Sequence, residues 1–366
     1  QKLRGWNSPR AARHVFIWPA LLVVLFLAVF PLIGSLFLSL SRVNLVRGGF
    51  EIDFTGLTNF RILFMGSQKT HVLGSLQSPT PLGWLVLIGG TALVVYAYWR
   101  YLRGGHVRPL GAVLRAVGGV LLIGLLWLAV QSLLSEGGRP GTIMVTFIYA
   151  FVGTAGTYLL GLGLAVLTSQ RLAGERVFRI IFLLPLTITP VGIAYMFRMM
   201  TDTQRGPFAP VWGAAGLSDF APLGDPWGAR IAVMIGDIWQ WTPFMFIVLL
   251  AALESRDMEV EEAGLVDGAS KGRIFRHITL PALIPVSATV ILIRMIEAFK
   301  IIDLPNILTT GGPGTATESL TLQSFIDWRT FNLGQSAAIA YTLLIIVTLV
   351  ALAYATTVVR RAQASV

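Results

Sequence analysis

Cysteine is absent from the 366 residues, which excludes disulfides, thiolate nucleophiles and cysteine-ligated metals whichever compartment the loops face. Charge is nearly as scarce. Only 13% of residues are Asp, Glu, Lys or Arg, against roughly 25% in soluble domains, so water is not the chain's main solvent. Histidine occurs four times, as His14, His71, His106 and His277; these sit near span ends or in loops on different sides, and no metal site can be built from them. A membrane-embedded enzyme would need a nucleophile with its base, or a metal cluster, at one depth, and no such constellation is found. A P-loop is missing too. Gly311-Gly312-Pro313-Gly314 lacks the following Lys-Ser/Thr, and Lys271-Gly272 inverts the Gly-Lys order.

What the chain does have is apolar length. Hydrophobic residues make up 55% of it and are bunched into runs such as Val15 to Leu40 and Leu343 to Val359, longer than soluble core helices need. Windows long enough to span a bilayer fall near 14 to 40, 82 to 102, 110 to 134, 143 to 169, 177 to 200, 230 to 253, 281 to 303 and 334 to 359. The fold class is therefore all-α integral membrane, with about eight transmembrane helices. The second span is short and carries Gly89 and Gly90, while Tyr96, Tyr98 and Trp99 read as interfacial anchors. The chain begins with Gln1, so the numbering is expected to start inside the native chain or after processing; the first apolar run is too long for a signal-peptide core.

A net charge of +10 would fit nucleic acid only if it clustered on one soluble face. Here the basic residues lie between spans. Placing the N-terminus in the cytoplasm puts Lys2, Arg4, Arg10, Arg13, Arg103, Arg108, Arg171, Arg176, Arg256, Lys271, Arg273, Arg276, Arg360 and Arg361 inside. The outer loops then receive fewer, so the positive-inside rule favours cytoplasmic termini.

The inner loop from Glu254 to Leu280 is neither apolar enough to span nor Gly/Ser-rich enough to be a plain linker. It reads Glu262-Ala263-Gly264-Leu265-Val266-Asp267-Gly268-Ala269-Ser270, followed after seven residues by Ile278-Thr279-Leu280-Pro281. Small residues at Ala263, Gly264, Gly268 and Ala269 allow a short helix to approach a partner closely, Gly268 supports a tight turn, Asp267 and Ser270 suit helix caps, and Pro281 suits the first turn of the next helix. The expectation is two short helices joined by a turn.

This segment resembles the EAA loop of ABC importer permeases, departing from the pattern only at Gly264, where the family has a second Ala. The likeness extends to Trp239-Gln240-Trp241-Thr242-Pro243-Phe244 upstream, and downstream to Ala298-Phe299-Lys300, Asp303 and Leu308-Thr309-Thr310-Gly311-Gly312-Pro313-Gly314, which is similar to the carbohydrate (maltose and glycerol-phosphate) branch. It covers the first span and everything from about Thr142 to Arg361. The resemblance implies a six-helix type I importer permease core at 142–366, with the first span in 1–65 and an inserted segment, 66–141, holding the second and third spans. An inserted pair preserves the sidedness of every later loop.

The resemblance further implies a multi-pass permease of a bacterial or archaeal cytoplasmic membrane that is not itself an enzyme. Its loop, through Glu262, Ala263, Gly264, Asp267, Gly268 and Ala269, docks on a cytoplasmic ATPase. The implied partners are a second homologous permease, a pair of ATPase subunits and an extracytoplasmic solute-binding protein. ATP and Mg are used by the ATPase, and this chain binds no cofactor. The EAA loop is shared across importer types, so polyamine or phosphate stands as an alternative cargo; the Gly-Gly-Pro segment argues for sugar.

Charges inside a span call for a local reason, since each costs roughly 2.5–3.5 kcal/mol at mid-bilayer. Arg294, Glu297, Lys300 and Asp303 recur every three residues with alternating signs in the seventh span, so they can pair along the helix. The other reading is that the deeper members face a polar cavity and bind sugar hydroxyls. Carried over from the family, the cavity-lining positions are Gln240, Trp241, Phe244, Arg294, Glu297, Ala298 and Ile301. Asp237 and Tyr195, within or beside spans, read as satisfied packing groups.

Overall fold

The computed structural model describes residues 9–104, 109–170, 174–217, 220–256 and 258–359; Lys2, Arg4, His106, Arg108, Arg171, Arg360 and Arg361 lie outside the described residues. Two compact units emerge, one comprising 1–67 and 324–342 and the other 68–323 and 343–366.

In the first unit a helix whose spanning part is Ile17–Ser39 (α1) leads into an antiparallel ribbon of β1 (Ser41–Val46) and β2 (Gly49–Phe54), registered Ser41 to Phe54. A short helix, Thr58–Met65, follows. Its buried Asn59 amide donates to the carbonyls of Ser39 and Ser41, both at 2.9 Å, and so ties off backbone groups that the end of α1 leaves open. At Gly334 a Cβ would sit 2.3 Å from the Ser41 carbonyl oxygen, so only glycine permits this close approach.

In the second unit the spanning helices are α2 (Pro81–Arg103), α3 (Pro109–Leu133), α4 (Thr142–Thr168), the pair α5 (Glu175–Thr187) and α6 (Pro190–Thr201), then α7 (Pro226–Glu254). The inner loop contributes α8 (Met258–Val266), and α9 (Lys271–Phe299) crosses next. Three more follow: α10 (Asp303–Thr309), α11 (Leu320–Arg329) and α12 (Leu333–Val359), the last two running across the boundary between the units. Among the described residues, seven helices are long and apolar enough to cross a membrane, and the α5–α6 pair makes an eighth if taken as one span.

Three expectations are corrected. The fifth span, 177 to 200, is not straight: α5 and α6 meet at 99°. Thr189 precedes Pro190 and is extended at φ −64°, ψ 145°, and its hydroxyl accepts the Gly192 amide at 3.3 Å as the cap of a fresh helix. A residue before proline is steered out of the helical region, and hydropathy alone does not register it. The row of charges in the seventh span is broken as well, because α9 ends at Phe299, leaving Lys300 as its cap and Asp303 at the start of α10. Tyr195, expected to be packed, is 56% exposed.

Helices α2 and α3 form a hairpin whose windows are almost wholly exposed within the chain. They meet where Gly90 faces Leu126 and where the Thr80 hydroxyl donates to the Leu134 carbonyl at 2.9 Å. By contrast α7 is enclosed by α4, α5, α6 and α9, and its interior splits into two apolar clusters. One gathers Val145, Tyr149, Phe197, Val233 and Leu304; the other gathers Ala165, Met245, Phe246, Leu249, Leu283 and Val290.

Candidate functional site

Between those two clusters sits a charged pair. Asp237 of α7 and Arg294 of α9 form a buried ion pair through Oδ2 and Nη2, with Arg294 0% exposed. Room for it comes from α4, where Gly153 has no side chain and an added Cβ would fall 2.8 Å from Asp237 Oδ2. The Trp241 ring lies one turn along α7, its centroid 5.0 Å from the Arg294 guanidinium carbon. Arg294 Nε and Nη1 and the Thr154 hydroxyl are buried without a hydrogen-bond partner.

The expected pairing along the row holds for Glu297 and Lys300 but not for Arg294. Arg294 turns to Asp237 on the neighbouring helix, and Glu297 binds Lys300 at 2.8 Å near the surface. Asp237 is a satisfied packing group, as the sequence indicated. Of the seven residues carried over as cavity-lining, Trp241, Phe244 and Glu297 remain partly exposed, whereas Gln240, Arg294, Ala298 and Ile301 are buried inside the chain. Trp241 and Phe244 meet edge to face with centroids 6.0 Å apart. Phe244 continues into an open apolar groove of about 390 Å³ between α7 and α9, lined also by Val286, Thr289, Val290 and Ile293. Thr289 and Ile293 were not singled out by sequence; only the helical period of α9, three to four residues from Val286 and Val290, signals them.

The inner loop folds as a second locus. Helix α8 ends in a turn closed by three amide-to-carbonyl bonds: Asp267 to Ala263 at 2.9 Å, Gly268 to Leu265 at 3.0 Å and Ala269 to Gly264 at 3.0 Å. Gly268 takes φ +77°, the left-handed position that this helix ending requires. Ser270 holds the cap position of the next helix but makes no side-chain cap bond. Instead of a second short helix ending before the membrane, the chain runs from Lys271 through a π-helical stretch, Phe275–Thr279, straight into α9.

Gly264 faces inward, with the side chains of Ile274 and Ile278 at 3.3–3.6 Å from where its Cβ would be. The opposite face of α8 is open: Glu262, Ala263, Asp267 and Gly268 are exposed and Ala269 is partly buried. So are three apolar side chains, Val260 at 51%, Leu265 at 51% and Val266 at 88%. Arg256, just past the end of α7, holds this unit down. It pairs with Glu261 of α8 and donates to the Thr279 hydroxyl at 2.8 Å, and Thr279 in turn donates to Glu261 at 2.7 Å. In the sequence Arg256 speaks to topology, and its five-residue spacing from Glu261 is the one signal of this clamp.

Beyond the end of α9 the Gly-Pro segment is a folded turn. Thr310 and Gly311 are left-handed, and the Thr309 and Thr317 hydroxyls meet at 2.6 Å. Arg230 Nε and the Tyr149 hydroxyl donate to the carbonyls of Ala316 and Thr317 at 2.6 and 3.1 Å. Nearby, a pocket of about 380 Å³ lies between Arg198, Asp202, Gln204 and Leu223. The backbone amides of Arg205 and Gln204 hold the Asp202 carboxyl below the ordinary carboxylate range.

The family model described as "Binding-protein-dependent transport system inner membrane component" matches residues 157–364. The trehalose/maltose transport system permease protein MalF of Thermococcus litoralis is 36% identical over 203 residues, 56% of this chain and 69% of that protein. The trehalose transport system permease protein SugA of Mycobacterium tuberculosis is 30% identical over 198 residues, 54% of this chain and 63% of its own length. Among solved structures, a chain of a bacterial ABC transporter involved in the import of the acidic polysaccharide alginate aligns over 95% of both chains with a TM-score of 0.64 at 15% identity, a likeness of fold. Matched over more than half its length by that family's model, and built as a bundle of membrane-spanning helices, the chain is a member of the binding-protein-dependent transport system inner membrane component family, a permease subunit of an ABC transporter rather than an enzyme.

Proposed function

We propose that this chain forms half of the translocation pathway of an ATP-driven carbohydrate importer. A second homologous permease would supply the other half, two cytoplasmic ATPase subunits the work, and an extracytoplasmic binding protein the cargo. The observation that carries the coupling reading is the set of exposed apolar side chains on α8. Val260, Leu265 and Val266 stand exposed on a loop otherwise rich in charge, and a buried partner surface is what removes such side chains from water. Gly268 fixes the turn and Arg256 joins α8 to α7 and α9, so a push on the loop reaches both helices. On this reading Glu262, Ala263, Gly264, Asp267, Gly268 and Ala269 form the docking element, both termini are cytoplasmic, and ATP and Mg are bound by the partner.

Carbohydrate as the cargo is supported by relatives whose names specify trehalose, maltose and sulfoquinovosyl glycerol. The path would run along Trp241, Phe244 and Glu297, where an aromatic face beside a carboxylate suits a sugar ring. Gln240, Arg294, Ala298 and Ile301 would act from behind that wall by holding it in place. The inserted 66–141 segment is proposed as an accessory to the 142–366 core. The decisive experiment reconstitutes the chain with its neighbouring subunits and screens solutes and their binding proteins for stimulation of ATP hydrolysis. Stimulation by a sugar supports the reading, and stimulation only by a polyamine or phosphate overturns the cargo. Loss of the ATPase on disrupting the loop around Gly268 supports the docking role, and its retention overturns it.

A further inference from the structure

The α2–α3 hairpin is apolar on nearly every side, and from Lys69 to Ser135 the sequence contains no Asp or Glu. Its basic residues are not spread evenly. Arg100 and Arg103 close the last turn of α2, and Arg115 stands six residues into α3, about 9 Å from that helix's start. All three are exposed. Two of them lie over aromatic rings, Arg103 with its guanidinium carbon 3.7 Å from the Trp99 centroid and Arg115 at 3.5 Å from that of Tyr101. Tyr96 stands next to Trp99, their centroids 6.0 Å apart.

Two Arg in a closing helical turn answer the helix dipole. Arg115 has no such reason, because it lies in the first third of its helix, where the dipole disfavours a cation. A guanidinium stacked on a ring spends its face and keeps its N–H edge for an oxyanion. Two such groups and Arg100, with no carboxylate on the hairpin to neutralise them, stand where aromatic side chains mark the boundary between hydrocarbon and headgroup. The apolar flanks of the same helices offer acyl chains a surface.

We propose that this end of the hairpin binds anionic phospholipids, whose phosphodiesters are met by Arg100, Arg103 and Arg115 around α2 and whose chains lie along α2 and α3. The site is independent of the cargo and of the coupling loop, and it gives the inserted segment a task of its own: anchoring the permease in an anionic lipid environment.

The test uses the assembled transporter in phosphatidylcholine nanodiscs doped with spin-labelled phosphatidylglycerol. Electron paramagnetic resonance then reads the label's preference for the protein over the bulk lipid. The wild type is expected to prefer phosphatidylglycerol to spin-labelled phosphatidylcholine, with the preference reduced by salt. R100Q/R103Q/R115Q should lose about fivefold for each arginine removed, and R115Q alone about fivefold, which keeps the test informative if the triple variant fails to assemble. R139Q, outside the cluster on the same segment, should change nothing. An unaltered preference in R115Q, or equal association of the two lipids with the wild type, overturns the proposal. Displacement of the label by inorganic phosphate well beyond that caused by sodium chloride at the same ionic strength overturns it too, because the site would then belong to a soluble anion.

Discussion

Gly153 and Asp237 face each other so closely that a Cβ on residue 153 would lie 2.8 Å from the carboxylate oxygen that binds Arg294. The missing side chain on α4 is therefore what lets a charged pair fit between two apolar clusters. Gly153→Ala should displace the carboxylate and destabilise the protein by about 1–3 kcal/mol, the usual range for overpacking. The effect reads as a lowered melting temperature in detergent. Gly163, on the same helix with nothing within 4 Å of its would-be Cβ, should accept Ala without loss.

The pair itself makes a sharper prediction. Asp237→Asn or Arg294→Met alone leaves one charge buried without its partner, a change that costs about 3–5 kcal/mol. The double variant Asp237→Asn with Arg294→Met removes both charges and should recover most of that stability. Transport separates the roles of the pair. A double variant that is stable and fully active shows the pair to be a packing device; one that is stable but inactive shows that the wall carrying Trp241 depends on Arg294. Thermal melts and substrate-stimulated ATP hydrolysis of the reconstituted complex supply the two readouts.

These residues also show where sequence reading succeeds and stops. Hydropathy located most spans to within a few residues because each is a local run, though α9 begins at Lys271 rather than near 281, and the Glu262–Pro281 segment was legible because its turn chemistry sits at consecutive positions. The Asp237–Arg294 pair joins residues 57 apart in sequence, while the three-residue spacing of Arg294, Glu297 and Lys300 pointed to a local solution. Long-range packing decided between them. The kink at Thr189 was written in the sequence as Thr-Pro after Pro185, but an apolar window averages over it. Gly153 carried no signal at all, since its importance comes from a carboxylate on another helix.

The inner turn yields a contrast between two glycines. Gly268 sits in open space, with nothing within 4 Å of a would-be Cβ, but at φ +77°. Gly268→Ala should therefore cost through backbone strain alone, roughly 1–2 kcal/mol, felt locally as an unravelled end of α8. Gly272 is equally open and has no positive φ, so Gly272→Ala should be silent. If α8 docks on the ATPase, co-purification of the ATPase should drop with Ala at 268 and hold with Ala at 272. Equal retention by both variants would mean that the geometry of the turn is immaterial to docking.

Arg256 offers a way to separate docking from transmission. Its guanidinium ties α8 to the end of α7 and to Thr279 just before the membrane part of α9, while the apolar side chains that α8 leaves exposed are Val260, Leu265 and Val266. Arg256→Ala thus removes the tie while keeping those three side chains. Part of the pair is open to solvent, so the loss of stability should be modest, about 1 kcal/mol. The ATPase should still co-purify. Its hydrolysis should lose its dependence on cargo, since a loop that moves by itself no longer carries the state of α7 and α9. Val266→Asp should do the reverse, abolishing association while leaving the chain's own melting temperature nearly unchanged, because an 88% exposed side chain has little packing to lose. Should Arg256→Ala lose the ATPase, or keep cargo-dependent hydrolysis intact, the tie between α8 and the membrane helices is not the route by which the two sites communicate.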